Sequence, residues 1–121
     1  MHYNIKTTDF DITPEITKYL DDKLVTLEKY INKDDESVKC DVEIGKTTGH
    51  HQSGNIFKAE INVSIGKNLF RAVAEEETIY AAIDIVKDEI TKRLKRNKEK
   101  RFVLFKKGGE KIKNILRFGR E

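Results

Sequence analysis

The chain has one cysteine, Cys40, so no intramolecular disulfide can form, which fits a reducing compartment. Its single proline, Pro14, leaves no Pro/Ser-rich linker, and no internal repeat is visible. Apolar runs are short and nowhere approach the ~20 residues that cross a bilayer. The opening MHYNIKTTDF has no charged segment followed by an apolar one, so no signal peptide is expected. A soluble, cytoplasmic protein follows, with no membrane partner. Phosphate-loop chemistry is missing too: Gly108-Gly109 follows no strand and opens no GK[ST] helix. His50 and His51 are adjacent, so their side chains diverge in extended backbone, and no third ligand stands at metal-site spacing. Cys40 alternates with Val38 and Val42 on an apolar strand face, the setting of a small buried hydrophobe and not of a nucleophile. Glu75-Glu76-Glu77 reads as a solvated lead-in to a helix, without a cleft for acid/base work. No catalytic residue, metal or cofactor is expected; the chain does not read as an enzyme.

What is present is charge, and it is segregated. The 121 residues make one domain with one core. Hydrophobic and charged residues each make up 37%, and the net charge is +3. Residues 1–77 hold 10 Lys+Arg against 15 Asp+Glu, a balance of −5, whereas residues 78–121 hold 14 against 6, a balance of +8. Such a split favours a polyanion docking on one face, with the acidic remainder limiting nonspecific adhesion. A solvated helix face that needs charge only for solubility is the plainer alternative.

Periodicity supplies the scaffold. His2 to Thr8 alternates weakly and reads as a short strand. Thr13 is placed to cap a helix with Pro14 at its first position and Glu15 at the positive end of the dipole. Ile16, Leu20, Leu24, Leu27 and Ile31 then make one stripe, predicting a helix to about Asn32. Val38, Cys40, Val42 and Ile44 alternate with charged residues in a half-buried strand. Thr47 to Asn55 is a Gly/Ser/His loop. Phe57 to Ile65 is a second alternating strand; Gly66-Lys67-Asn68 is short enough for a hairpin, and Leu69 to Ala74 forms the next strand. Thr78 caps the last helix, whose stripe is Ile79, Ile83, Val86, Ile90 and Leu94. The order is β-α-β-β-β-α, an α+β fold. It predicts a mostly antiparallel four-stranded sheet, one face polar and both helices packed on the other. Tyr19, Tyr30 and Tyr80 flank the helical stripes as core-edge packing. The domain is expected to span 1–101, with 102–121 a flexible basic tail in isolation.

The last helix carries the functional signal. Asp84, Asp88 and Glu89 lie in its first half; Lys92, Arg93, Lys95, Arg96, Lys98, Lys100 and Arg101 crowd the second. The order suits the helix dipole, and Asp88→Lys92 and Glu89→Arg93 are acid-first i,i+4 pairs. Helix stability alone does not require seven cations in ten residues. A phosphate-binding surface accounts for them, with affinity falling steeply as salt rises. Structured RNA is favoured over DNA because there is no helix-turn-helix pattern and three strands followed by a helix resemble scaffolds that read RNA by shape and backbone. The lack of paired exposed aromatics on the strands argues against a single-strand reader.

The opening YNI…F-DITPEI…DDKLVTLEKY, the hairpin and Thr78-Ile79-Tyr80-Ala81-Ala82-Ile83-Asp84 resemble the ribosome hibernation promoting factor family, over about residues 1–100. The resemblance implies a fold akin to double-stranded RNA-binding domains. It also implies binding to the small ribosomal subunit, against its rRNA in the decoding channel where mRNA and tRNAs would sit, so that ribosomes stay idle in starvation or stationary phase. By position, Lys23 and Lys29 on the first helix, and Lys92, Arg93, Arg96 and Lys100 on the last, fall where the family presents basic groups to rRNA. With Lys87 and Lys95 they make up the expected RNA-binding set. Thr78 departs from the family pattern at an acidic position but still caps the helix; Glu89 and Thr91 stand where members often have Lys and Glu, weakening the upper edge of the patch. The C-terminal dimerisation domain of long members is not matched, so ribosome dimerisation by this chain itself is not expected; off the ribosome a monomer is expected. Two rivals remain: an adaptor that modulates a sigma factor through the basic helix, and a general double-stranded RNA binder.

Overall fold

The computed structural model describes residues 3–32, 34–47 and 56–120, with side chains through residue 100. The loop containing His50 and His51 lies outside the described residues. In chain order the elements are β1 (Tyr3–Thr8), α1 (Pro14–Val25), a 3-10 segment (Thr26–Tyr30), β2 (Lys39–Thr47), β3 (Ile56–Ile65), β4 (Asn68–Glu76) and α2 (Ile79–Arg120). The strands form one sheet in the order β1-β2-β3-β4. β1 lies parallel to β2, and the other two pairings are antiparallel. This is the expected βαβββα, α+β arrangement.

Local chemistry explains most of these boundaries. The Ile16 amide donates to the Thr13 hydroxyl at 3.2 Å, and Pro14 starts α1, satisfying one of the donors a helix start leaves open. The Thr78 hydroxyl accepts from the Ala81 amide at 3.1 Å in the same way. Gly66 turns β3 into β4 with φ +58, a value glycine adopts without penalty. Gly45 serves contact: a Cβ there would meet the Thr8 carbonyl oxygen at 2.9 Å, so a side chain would push β1 away from β2.

Alternation places Cys40, Val42 and Ile44, with Ala59, Ile61, Val63 and Ile65, on the face that the helices cover. Ile16, Leu20, Leu24 and Leu27 from one side and Ile79, Ile83, Val86, Ile90 and Leu94 from the other complete a single core. Leu24, Leu27, Ile83, Ile90 and Leu94 are fully buried, each contributing about 1.5–3 kcal/mol of transfer free energy.

The structure departs from the sequence reading in four places. The first helix does not run to Asn32. It gives way to the 3-10 segment at Thr26, where the Thr26 hydroxyl takes the Lys23 carbonyl at 2.6 Å and the Tyr3 hydroxyl takes the Leu24 carbonyl at 3.2 Å. Those acceptors are then engaged by side chains, and the tighter winding still brings Leu27, three residues after Leu24, into the core. Glu75 and Glu76 are strand residues, opposite Lys58 and Phe57, and not a helix lead-in. Glu60, on the open face of the sheet, is only 9% exposed. Finally, α2 does not stop at Arg101, where a flexible tail is expected; its backbone is helical through Arg120. No proline interrupts that stretch, and each of Gly108 and Gly109 costs a helix only about 1 kcal/mol relative to alanine.

Candidate nucleic-acid interface

Among the described residues the buried stripe of α2 runs to Leu94, and around it the helix carries cations on both of its sides. At about 100° per residue, Lys87 and Lys98 fall on the flank toward α1 and the 3-10 segment. Arg93, Arg96 and Lys100 form the opposite flank, while Lys92 and Lys95 lie on the outer arc between. Lys92, Arg93, Lys95, Arg96 and Lys100 are all exposed, whereas Lys87 is half-buried.

The eight expected contact residues fall into two electrostatic groups. Three are partnered: Lys23 Nζ lies 3.4 Å from Asp84 Oδ1, Lys87 Nζ 3.6 Å from Asp88 Oδ1, and Lys92 Nζ 3.8 Å from Glu89 Oε1. The carboxylate of Asp84 is the main cause of the raised Lys23 pKa. Among the described residues, no carboxylate lies within 4.0 Å of the cationic group of Lys29, Arg93, Lys95, Arg96 or Lys100. Lys29 Nζ sits 5.1 Å from the ring centre of Tyr30, a cation–π contact that fixes the side chain without cancelling its charge. The free set is therefore weighted toward the Arg93, Arg96 and Lys100 flank. Residues three and four apart on a helix stand about 5–6 Å from one another, so each can meet a different phosphate.

Helix periodicity does not reveal the contacts that hold the two lysine-bearing elements together. Tyr19 donates its hydroxyl to Asp84 Oδ1 at 2.5 Å, and that bond is the chief cause of its raised pKa. Tyr19 and Tyr80 meet edge to face, with ring centres 4.9 Å apart. Lys23 Nζ rests 5.1 Å from the centre of the Tyr19 ring. Further along, Lys98 donates to the Lys29 carbonyl oxygen at 2.8 Å. Lys98 is outside the expected set, and its role is to tie α2 to the end of the 3-10 segment. Only the run of charge around it is visible in the sequence.

On the other side of the sheet, the Arg71 guanidinium clasps Glu60 through Nε at 2.8 Å and through a second nitrogen. Glu43 stands directly opposite Glu60 in register, so the arginine offsets a like-charge pair. Cys40 is 1% exposed, and burial, aided by the Asp41 charge, pushes its thiol up to about 12. A thiol held neutral in the core is not a nucleophile. Among the described residues no helix is long and apolar enough to cross a membrane, and no cluster of three potential metal ligands occurs.

Comparison with known proteins bears on this surface. A family model described as sigma 54 modulation protein / S30EA ribosomal protein matches residues 3–101. A ribosome hibernation promotion factor of Bacillus subtilis is 25% identical over 100 residues, covering 83% of this chain and 50% of that protein. One from a Picosynechococcus is 30% identical over 98 residues, covering 81% and 49%. The chain thus spans about half the length of these relatives. Among solved structures, the N-terminal domain of Thermus thermophilus Protein Y is similar, with TM-score 0.62 and 29% identity, covering 77% of this chain and 93% of that one. A ribosomal subunit interface protein from Coxiella burnetii shares the fold, with TM-score 0.63 at 17% identity, covering 82% and 99%.

Proposed function

The chain belongs to the sigma 54 modulation protein / S30EA ribosomal protein family, and from that premise we propose that it is a ribosome hibernation factor. It binds the small ribosomal subunit against rRNA in the mRNA/tRNA decoding channel and inhibits translation under stress or in stationary phase. It acts by occupancy and not by catalysis.

The observation that carries this reading is the Arg93, Arg96 and Lys100 flank, uncancelled by any described carboxylate and borne on a helix that the core grips through Leu94. A rigid helix presents these cations at fixed spacing, so no backbone ordering opposes phosphate contact. Arginine forks match phosphate oxygens bidentately. Lys95 extends the same field along the outer arc, Lys29 adds a free cation on the other side of the helix, and each phosphate neutralised releases counterions. The names of the curated relatives, ribosome hibernation promotion factors, agree with this reading.

Cosedimentation with purified small subunits tests it. Arg93→Glu/Arg96→Glu/Lys100→Glu should leave the fold intact and abolish pelleting; a triple variant that still pellets at moderate salt contradicts the assignment. Ribonuclease treatment of the lysate separates this reading from a sigma-factor adaptor, whose partner would survive digestion. Competition by generic duplex RNA separates it from an unspecialised duplex binder.

A further inference from the structure

Resting on the reading above, the geometry points to Asp84 as an internal competitor for the RNA surface: it holds Lys23 in the free protein, and phosphate engages Lys23 only by displacing that carboxylate. The arrangement is one of shared partners. Asp84 Oδ1 receives both the Tyr19 hydroxyl and the Lys23 ammonium, while Lys23 also lies over the Tyr19 ring. When Lys23 swings out, Asp84 keeps the Tyr19 hydrogen bond, and Tyr19 keeps its edge contact with Tyr80. No group is stranded by the exchange. The side chains of Lys23 and Asp84 are 34% and 45% exposed, so water screens the pair and an incoming phosphate can reach it.

The position of Asp84 makes the competition specific. It stands on α2, the helix that carries the free cations, and it faces α1, the helix that carries Lys23. A polyanion that touches only the Arg93, Arg96 and Lys100 flank never meets it. A ligand that spans both helices must bring its own phosphate to the place of the carboxylate. A like charge set against poorly fitting ligands is a common route to discrimination.

The test is binding to purified small subunits across a salt series. Lys23 and Asp84 together contribute no net charge in the wild type. Asp84→Asn should therefore tighten binding roughly two- to five-fold and steepen log K against log salt by about 0.7–0.9. Asp84→Ser, a second neutral substitution, should move the same way. Adding Lys23→Gln to Asp84→Asn should return the slope to the wild-type value. Unchanged affinity and slope in both neutral variants overturn the inference, as does a gain that persists without Lys23. A wild-type chain that fails to bind subunits overturns the proposed function as well. Wild-type binding with an inert Asp84 overturns only the competitor.

Discussion

The Lys98 ammonium donates to the Lys29 carbonyl oxygen at 2.8 Å, joining residues 69 apart in the chain. Lys29 lies in the last turn of the 3-10 segment, where carbonyls without helical partners carry partial negative charge. A cation from α2 thus caps one helical element with the side chain of another. Lys98→Ala should cost roughly 0.5–1 kcal/mol, the range of an exposed hydrogen bond, and loosen the segment that carries Lys29. Amide exchange at Ile31, whose N–H bonds the Glu28 carbonyl, is the local readout. Unaltered protection there would show that the contact holds nothing.

Among the described residues Leu94 is the last fully buried one of the α2 stripe. Leu94→Ala should destabilise the domain by about 2–5 kcal/mol, read as a lower denaturant midpoint at constant slope. A loss below about 1 kcal/mol would mean that the helix is not gripped at that level, and the platform for Arg93 and Arg96 would go with it.

The Glu60–Arg71 pair is asymmetric, with Glu60 nearly buried and Arg71 61% exposed. Removing the arginine leaves two acids facing each other across β2 and β3. Arg71→Ala should cost about 1–2 kcal/mol, discounted for the exposure of the guanidinium. Glu60→Gln in the same chain should recover part of that loss. Additive losses in the double variant would argue against direct coupling.

Cys40 gives the pH prediction. Its folded pKa is raised by burial from an ordinary 9.0 to about 12, so folding disfavours the thiolate. The associated stability is complete below pH 9.0 and is lost as pH rises from 9.0 toward about 12. Tyr3, raised above 10.0 by burial and then by Glu28, adds a loss that begins above 10.0. Between about pH 8 and pH 10, Cys40→Ala should therefore show a flatter decline than the wild type. Equal declines would place the titration elsewhere.

How much could be read beforehand follows from the range of the interactions. Thr13, Pro14 and Thr78 mark helix starts because capping reaches only three residues, and Val38 to Ile44 announces a strand by its two-residue alternation. The 3-10 segment was illegible because Tyr3, a strand residue far away in sequence, takes a carbonyl of the helix end. The pairing of Lys23 with Asp84 was hidden for the same reason: helical periodicity orders residues on one helix but not the meeting of two. Glu60 reads as an ordinary polar-face residue until register sets Glu43 beside it and Arg71 on the diagonal.

In the proposed complex Arg93, Arg96 and Lys100 each neutralise a phosphate of the small subunit. The most direct measurement is the slope of log K against log salt for small-subunit binding, compared between the wild type and Arg93→Gln/Arg96→Gln/Lys100→Gln. The slope should be shallower by about 2–3 in the triple variant, from roughly 0.7–0.9 per lost contact. Parallel lines for the two proteins would contradict it.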